Sequence, residues 1–402
     1  MISLDEAQSL IYQQLGSLPV ERIGILEAYE RVLAEGISAP LDLPPFHRSP
    51  LDGYALKGED TRDAAPDKPC RLKLVEKIPA GYAPRREIVP GTAARIFTGA
   101  PIPSGANTVV RQEDVREEGD QVLIFQPVEP YSNFSRSGED VLLGEPVLHQ
   151  GQLLTPACIG MLAALGIVEV PVFQRPQVGI ISTGDELVAP PQPLLPGKIY
   201  NSNVYTFAGL VTRSGGLPRI YPTVVDRVAL QQEALLQALR ENHLVITTGG
   251  VSVGEFDVVK ESIEAIGGTL LFWRIAMKPG TPAMAAQVGD KLVIGLSGNP
   301  AAATITYYLL VHPAIESLAG RKEMGLTRVQ ARSEDVFTKT SGQRRFLRAK
   351  AYHRDGQLWV KLTGKQNPGV LKSMIYSNAL IDLPPRHSLA RGEMVDVLLL
   401  PF

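Results

Sequence analysis

Apolar positions in the first 45 residues recur at helical spacing in two groups. The first group is Ile11, Leu15 and Leu18, and the second is Ile25, Leu26, Val32 and Leu33. Ser3 and Glu6 have the spacing of a capping box and mark where the first helix would begin. The pattern therefore predicts two helical pieces, which end at the proline-rich stretch LDLPPFHRSP.

From about residue 52 to 130 the pattern changes to short β-type runs separated by proline and glycine. The runs are LKLVEKIP, EIVPGTAARIFTGAPIP, NTVVRQEDV and VLIFQPV. Short runs bounded by turn residues predict an all-β segment. The later stretch PACIGMLAALGI is apolar and alanine-rich, and it predicts a helix that ends at Gly166.

Strand-like and helix-like patterns alternate from about residue 176 to 320. Such alternation predicts βαβ units on a mostly parallel sheet with helices on both faces. From about residue 327 to 402 short strands return and predict a small β domain. A chain of 402 residues is also long for one core, so we expect several domains.

Three strands of the alternating region run into glycine-containing turns. They are VGIISTGDEL at 178–187, LVITTGGVSVGEFD at 244–257 and LVIGLSGNP at 292–300. Ligands of open α/β sheets bind beyond the carboxyl ends of the strands, and glycine lets a backbone approach an anion closely. With the carboxylates of Asp185, Glu186 and Asp257 nearby, the turns predict one shared pocket.

The alternative is that each turn is an ordinary βα connection, since the chain has neither GxxxxGK[ST] nor GxGxxG.

A net charge of −2 gives no general attraction to nucleic acid. The basic cluster Arg344, Arg345, Arg348 and Lys350 is either a solvated strand face or a local anion site. Two cysteines are too few for a disulfide scaffold or a tetrahedral zinc site. With no signal-like start and no long apolar run, we expect a soluble, cytoplasmic protein without membrane contact.

The order of short motifs along the whole chain is that of a known family. The motifs are SPLDGYAL, RIFTGAPIPSGANTVV, SGEDV, ISTGDEL, TTGGVSVGEFD, RIAMKPGTP and LSGNPAAA. The chain resembles the MoeA/gephyrin family of molybdopterin molybdenumtransferases. The resemblance implies a multidomain α/β and β protein that forms a homodimer.

Four domains are implied by this resemblance. An elongated N-terminal helical region comprises 1–50 and 131–173, and an inserted all-β domain comprises 51–130. A three-layer α/β/α molybdopterin-binding domain with a mostly parallel sheet comprises 174–322, and a small β-barrel-like domain comprises 327–402. The active site would lie between the α/β domain of one subunit and the small β domain of the other.

The implied reaction inserts molybdate into adenylylated molybdopterin, with Mg²⁺, and releases AMP and molybdenum cofactor. The molybdopterin adenylyltransferase and apo-molybdoenzymes would be its partner proteins. The implied catalytic residues are Asp52, Thr98, Glu186, Asp226, Asp257, Arg274, Lys278 and Arg348. The implied substrate-binding residues are Asp140, Thr248, Gly249, Gly250, Ser252, Ser297, Gly298, Asn299 and Pro300.

The chemistry of this reaction suits those residue types. Glu186 and Asp257 offer the hard oxygen ligands that Mg²⁺ prefers, and the glycine turns offer backbone donors to phosphate. Lys278 and Arg274 would offset negative charge on the phosphates or hold molybdate.

Each site residue outside the glycine turns also has a plainer interpretation. Asp52 would cap the turn at Gly53, Thr98 would be a β-turn residue, Asp140 an N-cap, Asp226 a cap for a helix starting near Val228, and Arg274 a charge on a strand edge.

Three positions depart from the family pattern. Ser297 stands where proline is usual, and Thr281 stands where lysine is common. Pro368-Gly369 replaces a Gly-Ser pair, for which Ser373 is a candidate substitute. These departures bear most on how the partner subunit's β domain would hold substrate.

Two other functions compete with molybdenum insertion. One is a different reaction on a phosphorylated nucleotide or pterin, as in the related competence-damage-type proteins, and the long β segment argues against it. The other is a scaffold role like that of eukaryotic gephyrins, and the chain has no long Pro/Ser-rich linker to favour it.

Overall fold

A computed structural model describes residues 1–250 and 258–401 of this chain. The α-helices are α1 (Leu4–Tyr12), α2 (Pro156–Ala164), α3 (Asn203–Arg213), α4 (Val228–Glu241), α5 (Val258–Ala265), α6 (Pro300–Thr306), α7 (His312–Leu318) and α8 (Lys372–Ile375). Short 3₁₀ turns occupy Gly58–Thr61 and Gln112–Asp114, and a π-helical turn, Tyr307–Val311, joins α6 to α7.

The strands of the first half are β1 (Val20–Gly24), β2 (Ile37–Ser38), β3 (Gly53–Leu56), β4 (Cys70–Ile78), β5 (Thr92–Ile96), β6 (Thr108–Arg111), β7 (Val115–Glu118), β8 (Gln121–Ile124), β9 (Pro146–Leu148), β10 (Glu169–Phe173), β11 (Gln177–Ser182), β12 (Leu187–Val188) and β13 (Ile199–Tyr200). Those of the second half are β14 (Leu217–Ile220), β15 (Leu244–Thr248), β16 (Thr269–Trp273), β17 (Met277–Lys278), β18 (Ala283–Val288), β19 (Lys291–Leu296), β20 (Arg328–Ser333), β21 (Arg344–Arg354), β22 (Gln357–Leu362), β23 (Ala379–Leu383) and β24 (Met394–Leu399).

The chain divides into two compact units. The larger unit comprises 1–34, 150–155 and 169–402, and the smaller comprises 35–149 and 156–168. The finer division into four domains stays a prediction. No helix within the described residues combines the length and apolar character needed to cross a bilayer.

The larger unit contains a six-stranded sheet in the order β14-β11-β15-β19-β18-β16. Its first four strands are mutually parallel, and β18 and β16 are antiparallel additions. Successive residues of β15 point to opposite faces: Leu244 and Ile246 join a core with α1, α3, α6 and α7, whereas Val245 joins a core with α4 and α5. Both faces are therefore covered by helices, and the predicted three-layer α/β/α domain is confirmed.

A small closed barrel forms the end of the chain. Its strands follow the order β21-β22-β20-β24-β23, and a further pairing of β23 with β21 closes the ring. Strand β17, from the α/β part of the chain, adds in parallel to β21 at Arg344 and Arg345. The predicted C-terminal β domain is confirmed.

The second predicted N-terminal helix is wrong. Helix α1 starts with the predicted capping box of Ser3 and Glu6, but it ends at Tyr12. Beyond it, β1 pairs antiparallel with β10, and no helix follows before residue 156 in the described chain. Leu26 is 88% exposed whereas Leu33 is fully buried, so these residues do not share one face.

The smaller unit is built on a six-stranded sheet in the order β6-β3-β5-β4-β8-β7. Tyr54 and Leu56 of β3 pack into the core on one face, and Ala55 packs into the core on the other. The predicted all-β segment is confirmed. The predicted helix after it is α2, and Gly166 follows its end with φ +74° while its N–H donates to the carbonyl of Ala163.

Replacement of Gly53 by alanine is expected to destabilise the smaller unit by about 3 kcal/mol, because overpacking against a fixed backbone is costly. A Cβ at Gly53 would lie 2.0 Å from the carbonyl oxygen of Val110 in the neighbouring strand β6. Gly36→Ala is the matched control, since its Cβ would meet only the Leu148 carbonyl at 3.5 Å. Calorimetric unfolding measures both, and an equal effect of the two changes would contradict the packing account.

Candidate active site

The three predicted glycine turns meet at the carboxyl ends of β11, β15 and β19. The N–H of Thr183 donates to the carbonyl of Thr248 at 2.9 Å, and the N–H of Gly249 donates to the carbonyl of Leu296 at 3.2 Å. Gly249 has φ +89°, and a Cβ there would lie 2.2 Å from the Thr183 carbonyl oxygen. Gly298 in turn lies against the backbone of Gly249. The three turns are therefore in contact at one edge of the sheet, as a shared pocket requires.

A buried asparagine at the start of α3 joins two of these turns. Asn203 donates through Nδ2 to Oγ1 of Thr248 at 2.8 Å and to the carbonyl of Gly298 at 2.9 Å. Thr248 Oγ1 itself donates to the carbonyl of Ser297 at 3.2 Å. The sequence patterns did not point to Asn203, because it lies outside every glycine turn. Its position at the start of an amphipathic helix was the only signal.

Three carboxylates surround the turn that follows β11. The Glu186 carboxylate packs over Gly184, where a Cβ would lie 2.5 Å from Glu186 Oε2. The N–H of Asp226 donates to Oδ1 of Asp185 at 3.4 Å, and Oδ1 of Asp226 is buried with no hydrogen-bond partner. Burial, and then the charges of Asp185 and Glu186, raise the pKa of Asp226. Asp226 does not cap α4, whose N-cap is Arg227, so that plainer interpretation is wrong.

These carboxylates can supply part of the ligand set of a Mg²⁺ ion. Within the described residues, no three His, Cys, Asp or Glu side chains form a ready metal cage. Mg²⁺ needs no such cage, because it is commonly held by one or two carboxylates together with substrate phosphates and water. The unpartnered oxygen of Asp226 and the carboxylate of Glu186 are donors of that kind. Asp257 and Ser252 lie outside the described residues.

A cavity of about 290 Å³ adjoins the turn after β19. Its lining includes Lys278, Pro279, Gly280, Thr281, Ser297, Asn299, Arg345, Gln366 and Pro368. Ser297 and Asn299 thus belong both to the glycine turns and to this cavity. Lys278 is exposed at the end of β17, and Pro300 occupies the first turn of α6 directly after Asn299. The cavity therefore has two cationic side chains, Lys278 of β17 and Arg345 of β21, next to the glycine turns.

Arg345 is a cavity cation from the basic cluster that the sequence offers as a local anion site. Its Nε is buried without a hydrogen-bond partner, while Nη2 donates to the Thr340 carbonyl at 3.3 Å. Burial lowers the pKa of Arg345. Its neighbour Arg344 is instead paired with Asp382 at 2.7 Å and with Asp5 at 3.1 Å. The solvated-face interpretation of the basic cluster fits the exposed Lys350, whereas Arg345 is half-buried and Arg348 is fully buried.

Arg348 lies inside the barrel wall rather than in the cavity lining. It is fully buried, and Nη2 donates to the carbonyls of Lys365 at 2.8 Å and Asn367 at 3.1 Å. Its Nε and Nη1 have no partner, and burial lowers its pKa to about 10. The segment that Arg348 holds carries Gln366 and Pro368 to the cavity. Arg348 is thus placed to position the lining.

Arg274 and Thr281 occupy the loop region on either side of Lys278. Arg274 follows the end of β16 and has a left-handed backbone with φ +77°, so its interpretation as a strand-edge charge is wrong. Thr281 Oγ1 donates to the Met277 carbonyl at 2.6 Å and therefore fastens the loop. Ser373 is buried in α8 and donates to the Val370 carbonyl, while Pro368 takes its place in the cavity lining.

Asp52, Thr98 and Asp140 lie in the smaller unit. Oδ1 of Asp52 accepts hydrogen bonds from the N–H and Oγ1 of Thr98, both at 2.8 Å, so Asp52 does not serve as a cap for a turn at Gly53. Thr98 does lie in a turn, as its plainer interpretation requires. Asp140 donates its N–H to the Leu43 carbonyl and precedes no helix, so the N-cap interpretation is wrong.

Replacement of Thr98 by valine is expected to raise the pKa of Asp52 toward its ordinary value. The backbone N–H of Thr98 is the main cause that lowers this pKa, and the Thr98 hydroxyl is the next. The variant removes only the hydroxyl, so the shift should be partial. A carboxyl NMR titration measures it, with Thr92→Val as control because Thr92 Oγ1 donates to the Val89 carbonyl instead. An unchanged Asp52 titration would refute the assignment.

Sequence profiles of three regions match the chain in order. They are the MoeA N-terminal region (domain I and II) at 2–166, a probable molybdopterin binding domain at 179–317 and the MoeA C-terminal region (domain IV) at 330–400. The match covers both units, which agrees with the predicted resemblance.

Individual proteins agree with these profiles. The chain is 34% identical over 399 residues to the molybdopterin molybdenumtransferase of Staphylococcus aureus, covering 99% of this chain and 95% of that one. It is 36% identical over 389 residues to molybdopterin molybdenumtransferase 2 of Mycobacterium tuberculosis, covering 96% of each. The crystal structure of the molybdopterin biosynthesis MoeA protein of Pyrococcus horikoshii superposes with a TM-score of 0.86 at 34% identity, covering 99% of this chain and 100% of that one. The chain therefore belongs to the MoeA family.

Proposed function

We propose that this protein inserts molybdate into adenylylated molybdopterin and releases AMP and molybdenum cofactor. One observation carries the proposal: the glycine turns and the cavity beside Lys278 share Ser297 and Asn299. The reaction needs a phosphoanhydride and an oxyanion held next to each other. A phosphate-type pocket that continues into a small cationic cavity meets that need.

The cavity offers the donors that a tetrahedral oxyanion requires. The Lys278 ammonium and the Arg345 guanidinium supply positive charge, and the Ser297 hydroxyl supplies a neutral donor. Donors held in place before the reaction stabilise charge at little reorganisation cost. We assign molybdate to this cavity and the phosphates of the pterin substrate to the glycine turns.

Asp226 and Glu186 would hold Mg²⁺ at the glycine turns, together with Asp257. When bound, the ion supplies Lewis-acid polarisation of the phosphoanhydride. Gly184 and Gly249 would let the backbone approach the substrate. The two hydrogen bonds of Asn203 hold the turn after β15 beside the turn after β19. Arg348 would act indirectly. Its hydrogen bonds to the backbone of the 365–367 segment hold Gln366 and Pro368 at the cavity wall. Arg274, beside the same loop, supplies further positive charge.

The roles of Asp52, Thr98 and Asp140 rest on the family resemblance. The hydrogen bonds from Thr98 to Asp52 support a joint role for these two residues. The same resemblance supports a cytoplasmic homodimer that receives substrate from the molybdopterin adenylyltransferase and passes cofactor to apo-molybdoenzymes.

Incubation of the purified protein with adenylylated molybdopterin and Mg²⁺ tests the proposal. AMP is followed by chromatography with and without molybdate. AMP release that depends on molybdate is expected. Tight pterin binding without AMP release would contradict the transferase and favour a binding protein, and preference for a pyridine nucleotide would favour the alternative enzyme.

A further inference from the structure

A second cavity of about 880 Å³ lies within the larger unit. Its walls are the segment from Glu27 to Val32, the end of β10 with Arg175, the end of α3 and the buried face of α7. It shares no lining residue with the cavity beside Lys278. A volume of this size is typical of small-molecule sites. Among the described residues, none of those assigned to molybdenum insertion lines it.

Arg175 is a fixed cation on one wall of this second cavity. Its Nε donates to the carbonyl of Gly215 at 3.0 Å, and Nη2 donates to the carbonyl of Gly216 at 3.1 Å. Among the described residues, no carboxylate lies within 4.0 Å of its guanidinium. Burial and then the charge of Arg31 lower the pKa of Arg175, while Glu30 acts in the opposite direction. Arg175 thus brings to the cavity a guanidinium that forms no ion pair with the described residues.

Arg31 is a second fixed cation beside it. Its Nη2 donates to the Phe173 carbonyl at 2.8 Å and pairs with the carboxylate of Glu21, and only 13% of its side chain is exposed. The Arg31 charge is thus shared with Glu21, whereas Arg175 has no ion pair among the described residues. Both side chains are held by backbone carbonyls, so neither needs to reorganise to meet a ligand.

The titratable groups on the opposite wall are either ion-paired or neutral at pH 7. Buried Glu316 is paired with Arg321 and accepts the Gly325 N–H at 2.7 Å. His312 bonds through Nδ1 to Ser214 Oγ at 2.9 Å, and burial lowers its pKa to about 4, so it is neutral at pH 7. Glu27 and Glu30 are exposed at the rim. Arg213 also belongs to the lining and is exposed. Arg175 and Arg31 are therefore the two guanidinium groups that backbone carbonyls hold in place at the cavity.

We propose that this second cavity binds an organic phosphate through Arg175 and Arg31. A phosphate monoester carries a charge of about −1.5 to −2 at pH 7 and would be met by Arg175, which has no ion pair among the described residues, and by Arg31, which it would share with Glu21. Planar guanidinium groups bind phosphate oxygens in bidentate fashion. Apolar residues of the lining, Val32, Leu153, Phe173 and Leu326, would pack against the organic part of the ligand. The proposal does not depend on the molybdenum reaction.

The probe is 1-naphthyl phosphate, with 1-naphthol and inorganic phosphate as its separate halves. Isothermal titration of the full chain should show one saturable site for the ester and far weaker binding of either half. Arg175→Gln should weaken this binding about tenfold or more, the loss of one charge-assisted contact. Lys278→Ala should leave it unchanged, which separates this site from the cavity beside Lys278.

A second variant blocks the cavity without touching either arginine. Gly209 lies within α3 on the lining, and an added Cβ would meet no heavy atom within 4 Å. Leucine favours a helix more than glycine does, so Gly209→Leu should fold normally while occupying the ligand space. Gly160→Leu in α2 is the matched control, since Gly160 has the same open surroundings but does not line the cavity.

Loss of naphthyl phosphate binding in Gly209→Leu and its retention in Gly160→Leu are the expected results. The proposal is overturned if the wild type shows no saturable binding in the millimolar range. It is also overturned if binding survives both Gly209→Leu and Arg175→Gln, or is lost equally in Gly160→Leu.

Discussion

Replacement of Lys278 by alanine is expected to lower kcat/KM for molybdate about 100- to 1000-fold, the usual effect of removing one preorganised donor to a developing or bound anion. Lys278 is the exposed cation at the end of β17, where the cavity opens toward Ser297 and Asn299. Molybdate-dependent AMP release measures the effect. The affinity for adenylylated molybdopterin should change little, because its phosphates are assigned to the glycine turns.

Lys350→Ala is the control for the loss of a lysine charge. Lys350 is exposed on β21 of the barrel and does not line the cavity. It should retain normal turnover at every molybdate concentration. Equal behaviour of the two variants would show that Lys278 has no specific role in holding the oxyanion.

Replacement of Glu186 by glutamine is expected to lower kcat for AMP release about 1000-fold at fixed Mg²⁺. The change keeps the size of the side chain over Gly184 but removes the charge that a divalent cation requires. Partial recovery at high Mg²⁺ should follow if the loss is one of metal affinity. Direct titration with Mn²⁺, followed by electron paramagnetic resonance, measures that affinity without turnover.

Glu264→Gln is the matched control for this change. Glu264 is an exposed residue of α5 whose carboxylate lies 3.8 Å from the Lys260 ammonium, a surface pair that contributes little. Asp257→Ala carries the same expectation as Glu186→Gln. Normal turnover by both active-site variants would remove these carboxylates from the mechanism.

The glycine turns were predictable because their chemistry is local. A β-type run followed by Thr-Gly-Gly or Ser-Gly-Asn shows in the sequence where a strand ends and where the backbone can approach a ligand. The parallel sheet then brings these ends together, since β11, β15 and β19 are neighbours in it. Hence the shared pocket followed from the alternation of strands and helices alone.

The second N-terminal helix was wrong because its alternative is not local. Val32 and Leu33 instead form antiparallel β-bridges with Leu153 and Val172, which are remote in the chain. The helical spacing of Ile25, Leu26, Val32 and Leu33 was a coincidence of short apolar pairs. Propensity over a few residues does not outweigh long-range strand pairing.

Arg345 and Asn203 show what sequence patterns miss at the site. Arg345 resembles its ion-paired neighbour Arg344 in the sequence, and only the folded barrel separates a paired arginine from one with a buried, unpartnered Nε. Asn203 is identified as a site residue only by its hydrogen bonds to Thr248 and Gly298, which lie 45 and 95 positions away in the sequence. Asp226 is similar, because its cap interpretation was reasonable until its place beside Asp185 was known.

We propose that molybdenum enters the pterin at the cavity beside Lys278. The molybdenum content of the pterin product, measured by mass spectrometry, and its ability to activate an apo-molybdoenzyme test this assignment. We expect a molybdenum-loaded pterin that restores activity with wild-type protein and not with Lys278→Ala. AMP release that yields a metal-free pterin, or equal loading by Lys278→Ala, would contradict the claim.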